Sequence, residues 1–177
     1  KFPFSQWSHV MRQVLNSGDE KLLQRMTANG VLELRFAICQ YLLEFRNMSV
    51  APNQIVVGSG TEALYTMLVQ LLGRNSVYAV ENPGYKKVAT VFEINGANYV
   101  PINIEKNGIN IETLEASCAN VIHISPSHHF PTGLVMPVRC RGELLDWAAK
   151  DENRFIIEDD YDSEFRFNGK PLQTLQS

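Results

Sequence analysis

The chain has 177 residues, of which 45% are apolar, 20% charged and 10% aromatic, a composition typical of a soluble globular protein with one core. Sixteen basic and nineteen acidic residues leave a net charge of −3, which argues against a strongly basic nucleic-acid-binding surface on this segment. No apolar run approaches the span of a bilayer. Three scattered cysteines without a CxxC pair predict reduced thiols in a cytoplasmic protein. These features exclude a disulfide-rich miniprotein, a zinc finger, a membrane span and a disordered tail.

Helical and strand-like patterns alternate along the sequence. The first fifty residues look helical, with a broad apolar stripe over 32–45 that ends before Pro52. Further on, the predicted strands are 54–58, 77–80, 98–103, 120–124 and 154–158, and the predicted helices are 61–72, 85–94, 112–117 and 138–150. This alternation predicts an α/β fold with a mainly parallel sheet and flanking helices, in which Pro101 marks an edge strand.

The loops that follow the predicted strands are the candidate sites, because ligands of such sheets bind beyond the carboxyl ends of the strands. In the first loop, Ser59, Gly60 and Thr61 open a helix whose unpaired backbone N–H groups suit a phosphate. Two other interpretations of this loop remain open. In the first, the glycines simply turn the chain and Thr61 caps the helix that follows. In the second, the loop is a GxGxxA dinucleotide fingerprint, with Glu81 as the acid that binds the ribose.

The next two loops contain proline and glycine, which predicts ordered turns. In loop 81–85, Tyr85 stands at the start of a helix, where it either stacks on a flat ligand ring or packs half-buried under the loop. In loop 125–133, His128 and His129, together with the preceding His123, leave metal binding as a minor alternative.

The last loop carries five carboxylates in the seven residues 158–164. If the preceding strand continues to Tyr161, its period of two places Asp159 and Tyr161 on one face. An aspartate and a phenol aimed together suit a heteroaromatic ring with a basic nitrogen and a hydroxyl group, as in pyridoxal phosphate. A Mg²⁺ site and a solvated acidic turn are the alternatives.

Taken together, these loops resemble those of the fold-type I pyridoxal-phosphate enzymes, the aminotransferase class I/II superfamily. The segments 29–35, 81–85, 126–133 and 157–165, and the opening 2–7, look like the aminotransferase-like domain of MocR-type transcriptional regulators of the GntR family. Phe130 stands where an ordinary aminotransferase more often has the asparagine that contacts the cofactor's ring oxygen, and this departure favours the regulator branch.

The resemblance implies that residues 1–177 form a partial large domain of the fold-type I transferase fold, with pyridoxal 5'-phosphate as the cofactor. By analogy with the family, the cofactor phosphate is bound by Ser59, Gly60 and Thr61, the ring face by Tyr85, the pyridine nitrogen by Asp159 and the ring hydroxyl by Tyr161. The family's Schiff-base lysine lies further on, in a Ser-Lys context that none of the seven lysines here has. The chain is therefore expected to end before that lysine, to bind the cofactor weakly and not to transaminate.

The resemblance also implies the partners. These are a small amine or amino acid effector and, through an N-terminal winged-helix domain that residues 1–177 do not contain, DNA; no membrane contact is expected. Because later strands complete the sheet in this superfamily, uncovered edges predict a homodimer or a rearranged strand order. The leading hypothesis is a pyridoxal-phosphate-sensing effector domain of a regulator, the runner-up is an amino acid aminotransferase, and an NAD-dependent oxidoreductase is less favoured.

Overall fold

A computed structural model describes residues 2–162 and 173–176. In these residues the strands are β1 (Val77–Asn82), β2 (Asn98–Glu105), β3 (Gly108–Ile109), β4 (Val121–Ile124) and β5 (Phe155–Glu158). The helices are α1 (Phe4–Asn16), α2 (Leu32–Arg46), α3 (Thr61–Leu72), α4 (Lys86–Ile94), α5 (Ile111–Ala116) and α6 (Val138–Ala149), with 3₁₀ turns at Glu20–Leu23 and Pro52–Gln54. None of the helices within the described ranges combines the length and the apolar character that crossing a bilayer requires.

The strands form one sheet in the order β3-β2-β1-β4-β5. Every pairing is parallel except the short β2–β3 pair. The chain runs outward from β1 to β2 and then returns to place β4 on the other side of β1. The strand order therefore reverses between β1 and β4, and a crevice at the carboxyl ends of these strands is the usual ligand site of such sheets.

Helices cover both faces of the sheet. Tyr78 and Val80 of β1 pack with α3 and α4 in one apolar cluster, whereas Ala79 packs with Leu144 and Trp147 of α6 in the other. Side chains alternate across a strand, so a strand buried on both faces reads as an unbroken apolar run. The predicted α/β fold with a mainly parallel sheet is confirmed.

Pro101 lies in β2, whose outer side pairs with β3 only at Ile104 and Glu105. Among the described residues, the backbone at Pro101 pairs with β1 alone, so this part of β2 lies at an open edge as predicted, although β3 covers the end of the strand. The two-residue strand β3 is too short to leave a recognisable pattern in the sequence, and it was not predicted.

The predicted strand at 54–58 is wrong. The 3₁₀ turn ends at Gln54, and the extended residues after it join no ladder among the described residues. The Val57 N–H donates to the Asn29 carbonyl oxygen at 3.1 Å, which is a single bond to a loop. β-Branched residues favour an extended backbone, but a strand also needs a neighbouring chain that accepts its hydrogen bonds.

Candidate active site at the strand ends

The candidate site lies where β1, β4 and β5 end side by side. Asn82, Ile124 and Glu158 are the last residues of these three strands, and parallel pairing brings the loops after them to one edge of the sheet. The Asp159 N–H donates to the Ile124 carbonyl oxygen at 2.8 Å, which continues the β4–β5 ladder by one bond and fixes the backbone of Asp159. Three of the predicted strand-end loops therefore meet.

Asp159 is held from two neighbouring elements. The Tyr65 hydroxyl of α3 donates to Asp159 Oδ2 at 2.7 Å and also lies 2.7 Å from Nε2 of His123, a residue of β4. The His123 ring contacts the Tyr65 ring edge-on, with centroids 5.2 Å apart, and its Nε2 is 3.7 Å from Asp159 Oδ2. Tyr65 and His123 are buried, while the Asp159 side chain is 20% exposed.

These contacts keep Asp159 ionised. Burial alone would raise the pKa of Asp159, but the nearby His123 and the hydrogen bond from Tyr65 to the carboxylate outweigh burial and hold the pKa below its usual range. Burial and the neighbouring Asp159 charge raise the pKa of Tyr65 well above that of an ordinary tyrosine, so its hydroxyl remains a donor. The site therefore presents a carboxylate at neutral pH.

The loop before α3 suits an anion. Gly60 is the N-cap residue of α3, and its φ of 111° is a conformation that only glycine adopts without strain. No side chain caps this helix end, so the interpretation in which Thr61 caps the helix is wrong and Thr61 is the first helical residue. Ser59, Gly60 and Thr61 are exposed, and the first-turn N–H groups are left for an external acceptor.

Tyr85 lies beside the same edge of the sheet and immediately precedes α4, which starts one residue later than predicted. Its ring is 45% exposed and meets the edge of Phe130 at a centroid distance of 6.1 Å. Both rings line a cleft of about 490 Å³ that reaches His123. Phe130 thus packs on Tyr85 with a ring, where an asparagine would offer a hydrogen bond.

Tyr161 occupies a different position from the one that strand periodicity predicted. β5 ends at Glu158, so the alternation does not extend to Tyr161. The Tyr161 hydroxyl donates to the His128 carbonyl oxygen at 2.8 Å, and its ring stacks against the His128 ring at 6.0 Å. Burial raises the pKa of Tyr161, and the charges of Asp162 and Asp159 add to this shift.

Glu81 is buried and cannot bind a ribose. Its Oε2 accepts the Ser125 N–H at 3.1 Å, and burial raises its pKa to about 8, so the group is protonated at neutral pH. His129 Nε2 lies 3.6 Å from the same oxygen, and burial lowers the pKa of His129, which makes this a contact between neutral groups. With no strand before Gly58 and no exposed acid at position 81, both parts of the dinucleotide fingerprint are absent, and that interpretation is wrong.

The acidic run spreads its carboxylates instead of gathering them. Asp160 pairs with Arg46 in a buried contact, Asp162 contacts His128, and Glu158 accepts the Leu175 N–H at 2.9 Å. Glu164 lies outside the described residues, as does Ser163. Within 2–162 and 173–176, no three His, Cys, Asp or Glu side chains converge as metal ligands.

Sequence reasoning missed Tyr65 and treated His123 only as a minor metal candidate. Both lie within apolar patterns, Tyr65 on the buried face of α3 and His123 in the fully buried strand β4. A polar atom at such a position requires a partner, because burying it unpaired costs free energy. That requirement was the available signal, but it does not identify the partner.

The chain matches the family model described as aminotransferase class I and II over residues 2–172. It is 38% identical over 175 residues to an uncharacterized HTH-type transcriptional regulator, YdeL of Bacillus subtilis, covering 99% of this chain and 38% of the relative. It is 32% identical over 176 residues to the "Probable rhizopine catabolism regulatory protein MocR" of Rhizobium meliloti, covering 99% and 36%. The chain thus spans less than two fifths of the length of these relatives, and the resemblance to MocR-type regulators is confirmed.

Solved structures share the fold. An archaeal alanine:glyoxylate aminotransferase superposes with a TM-score of 0.85 and 24% identity, covering 98% of this chain and 45% of that one. The predicted partial large domain of fold-type I therefore agrees with a solved structure of the same architecture.

Proposed function

Because the chain belongs to the aminotransferase class I and II family, we propose that it binds pyridoxal phosphate as the effector-sensing part of a MocR-type transcriptional regulator. In the intact regulator, the bound cofactor, together with a small amine or amino acid, changes how an N-terminal winged-helix domain engages DNA.

One juxtaposition carries this proposal. Tyr65 lies one helical turn after Thr61 on α3, about 6 Å along the helix axis, and it contacts Asp159 directly. The N-terminal end of α3 and the side chain that holds the ionised Asp159 therefore belong to adjacent turns of one helix. A ligand that carries a phosphate and a basic ring nitrogen satisfies both, and the donor set fits pyridoxal phosphate.

Each residue has a role of its own in this proposal. The phosphate is held by Ser59, Gly60 and Thr61 through backbone and hydroxyl donors. The protonated pyridine nitrogen is paired with Asp159, and the ring face is covered by Tyr85. Tyr161 reaches the ring hydroxyl once its hydroxyl leaves the His128 carbonyl. When bound, the cofactor supplies an electron-withdrawing ring.

The proposal also makes this chain a binding unit without turnover. None of its seven lysines follows a serine. Lys87, which lies two residues after Tyr85 on α4, pairs with Glu62 at 3.0 Å. The cofactor is then held only by phosphate contacts, stacking and hydrogen bonds, so binding is reversible.

A titration with pyridoxal phosphate, followed by absorbance and fluorescence, tests the binding. We expect saturation, no lysine trapped by borohydride, and no comparable binding of NADH in a parallel titration. Tyr85→Ala should weaken affinity by about three- to ten-fold because ring stacking contributes about 0.5–1.5 kcal/mol. Tyr85→Phe keeps the ring and should stay within about two-fold of the wild type. Saturation by NADH but not by pyridoxal phosphate would refute the proposal.

An amino acid aminotransferase is the second candidate, favoured by the solved fold relative, which is an aminotransferase. The flanking sequence separates the two candidates. A winged-helix domain with a basic recognition helix before Lys1 marks a regulator, and a gene that encodes no such domain marks an enzyme.

We expect the chain to be a homodimer. The outer side of β5 has no partner among the described residues, and α1 buries none of its own side chains although it carries Phe4 and Trp7. Light scattering should give a mass near twice 20.0 kDa. Phe155→Lys places a charge on the open edge and should yield monomers, whereas Val138→Lys on the exposed surface of α6 should not. A monodisperse wild-type monomer would contradict the dimer.

A further inference from the structure

Tyr65 is a buried phenol that the proposed function does not use directly. Its hydroxyl has a single proton and two close partners, Asp159 Oδ2 and His123 Nε2, both at 2.7 Å. A carboxylate can only accept a hydrogen bond, so the phenol proton points to Asp159. His123 Nε2 must then carry a hydrogen and donate it to the phenol oxygen. The three groups form one directed chain from His123 through Tyr65 to Asp159.

This series of hydrogen bonds involves only one oxygen of the Asp159 carboxylate. Among the described residues, the contacts of Tyr65 and His123 with the Asp159 side chain both fall on Oδ2. Asp159 Oδ1 has no hydrogen bond within the described ranges. The side chain is thus fixed on its protein side and open on the other.

We infer that Tyr65 is a positioning residue for the cofactor site: with its hydroxyl held by His123, it fixes one oxygen of Asp159, keeps the carboxylate ionised, and turns the other oxygen toward the pyridine nitrogen of bound pyridoxal phosphate. This inference rests on the proposed function and adds a residue that contacts the cofactor only through Asp159.

Four titratable groups face Asp159, each from a different element. They are Tyr65 of α3, His123 of β4, Glu81 of β1 and Tyr161 of the loop after β5. Glu81 is neutral below about pH 8, and Tyr161 is neutral well above it because burial raises its pKa. In the acidic and neutral range, therefore, Tyr65 and His123 are the neighbours that decide the protonation of Asp159.

Removing the Tyr65 hydroxyl changes this balance in a known direction. Burial raises the pKa of Asp159, and the variant lacks one of the hydrogen-bond donors that oppose this effect. The pKa of Asp159 therefore rises, and the carboxylate becomes protonated in mild acid. A protonated aspartate does not pair with a pyridinium ring. Cofactor affinity in Tyr65→Phe should consequently fall as pH falls, and recover toward neutrality.

The test compares the affinity for pyridoxal phosphate at about pH 5 and about pH 7. For each protein, the affinity at about pH 5 is divided by the affinity at about pH 7. This ratio should be about three- to ten-fold lower in Tyr65→Phe than in the wild type. The ligand's own titrations affect both proteins equally. Tyr78→Phe is the matched control, since it also removes a buried hydroxyl, one that donates to the Gly73 carbonyl at 3.1 Å away from Asp159. It should keep the wild-type ratio, and an unchanged ratio in Tyr65→Phe would overturn the inference.

A second measurement does not depend on the cofactor. Nitrogen NMR of the ligand-free chain should show the hydrogen of His123 on Nε2, because that nitrogen donates to Tyr65. A hydrogen found on Nδ1 alone would overturn the inference even if Tyr65→Phe failed to fold. If the wild type binds no pyridoxal phosphate, the proposed function fails, whereas the tautomer still tests the hydrogen-bond chain.

Discussion

Replacing Asp159 with asparagine should weaken pyridoxal-phosphate binding by about ten- to a hundred-fold at neutral pH. A hydrogen bond to a charged group contributes about 1.5–3 kcal/mol, and each 1.4 kcal/mol is about a factor of ten in affinity. The asparagine side chain would keep an oxygen for the Tyr65 hydroxyl but would lose the charge that pairs with the pyridinium nitrogen. The titration described for the wild type measures this loss.

Asp146→Asn is the control for the change in net charge. Asp146 is exposed on α6, and its substitution should leave the affinity within about two-fold of the wild type. Thermal melts of both variants separate a loss of affinity from a loss of folded protein. Equal affinities of Asp159→Asn and the wild type would remove Asp159 from the proposed site.

Gly84→Ala should destabilise the chain by about 2–3 kcal/mol. A Cβ atom at Gly84 would lie 2.1 Å from the Glu81 carbonyl oxygen and 2.9 Å from its carbonyl carbon. Both are backbone atoms of the same turn, so no side-chain rotation relieves the overlap and the turn must open. Tyr85 follows directly, and we expect pyridoxal-phosphate binding to weaken together with stability. Urea denaturation measures the first effect and the cofactor titration the second.

Gly142→Ala is the matched control for this substitution. Gly142 lies inside α6, and a Cβ atom there would meet nothing within 4 Å. Alanine restricts the unfolded chain and favours the helix, so this variant should be more stable by about 0.5–1 kcal/mol. If Gly84→Ala unfolds at the same urea concentration as the wild type, the close approach to Glu81 is not a constraint.

Local pattern was sufficient for most elements. The helices at 61–72 and 138–150 and the strands at 77–80 and 120–124 were predicted to within two residues at each end. The reason is that helical spacing and β-branched runs are properties of consecutive residues. The strand predicted at 54–58 was wrong for the same reason, since its pattern specifies an extended backbone and says nothing about a partner.

The predictions for the candidate site also divide into those that local pattern supports and those that depend on tertiary contacts. The loop at 59–61, the ring of Tyr85 and the carboxylate of Asp159 were selected from sequence because each follows a predicted strand or begins a helix. Their roles toward the cofactor stay predictions. The position of Tyr161 was predicted through a strand that ends too early, and the acid at Glu81 was assigned to a ribose although the fold buries it.

What the sequence determined by itself was the class of the fold, the family and the order of the strand-end loops, because these depend on local periodicity and on short motifs. Only the tertiary structure decided which side chains meet. Tyr65 and His123 are 58 residues apart, and Tyr65 and Asp159 are 94 apart, yet their polar atoms lie at hydrogen-bond distance. Such contacts follow from helix α3 packing on the parallel order of β1, β4 and β5. Each side chain then takes whichever partner this packing leaves within reach, because a buried polar group without one is costly.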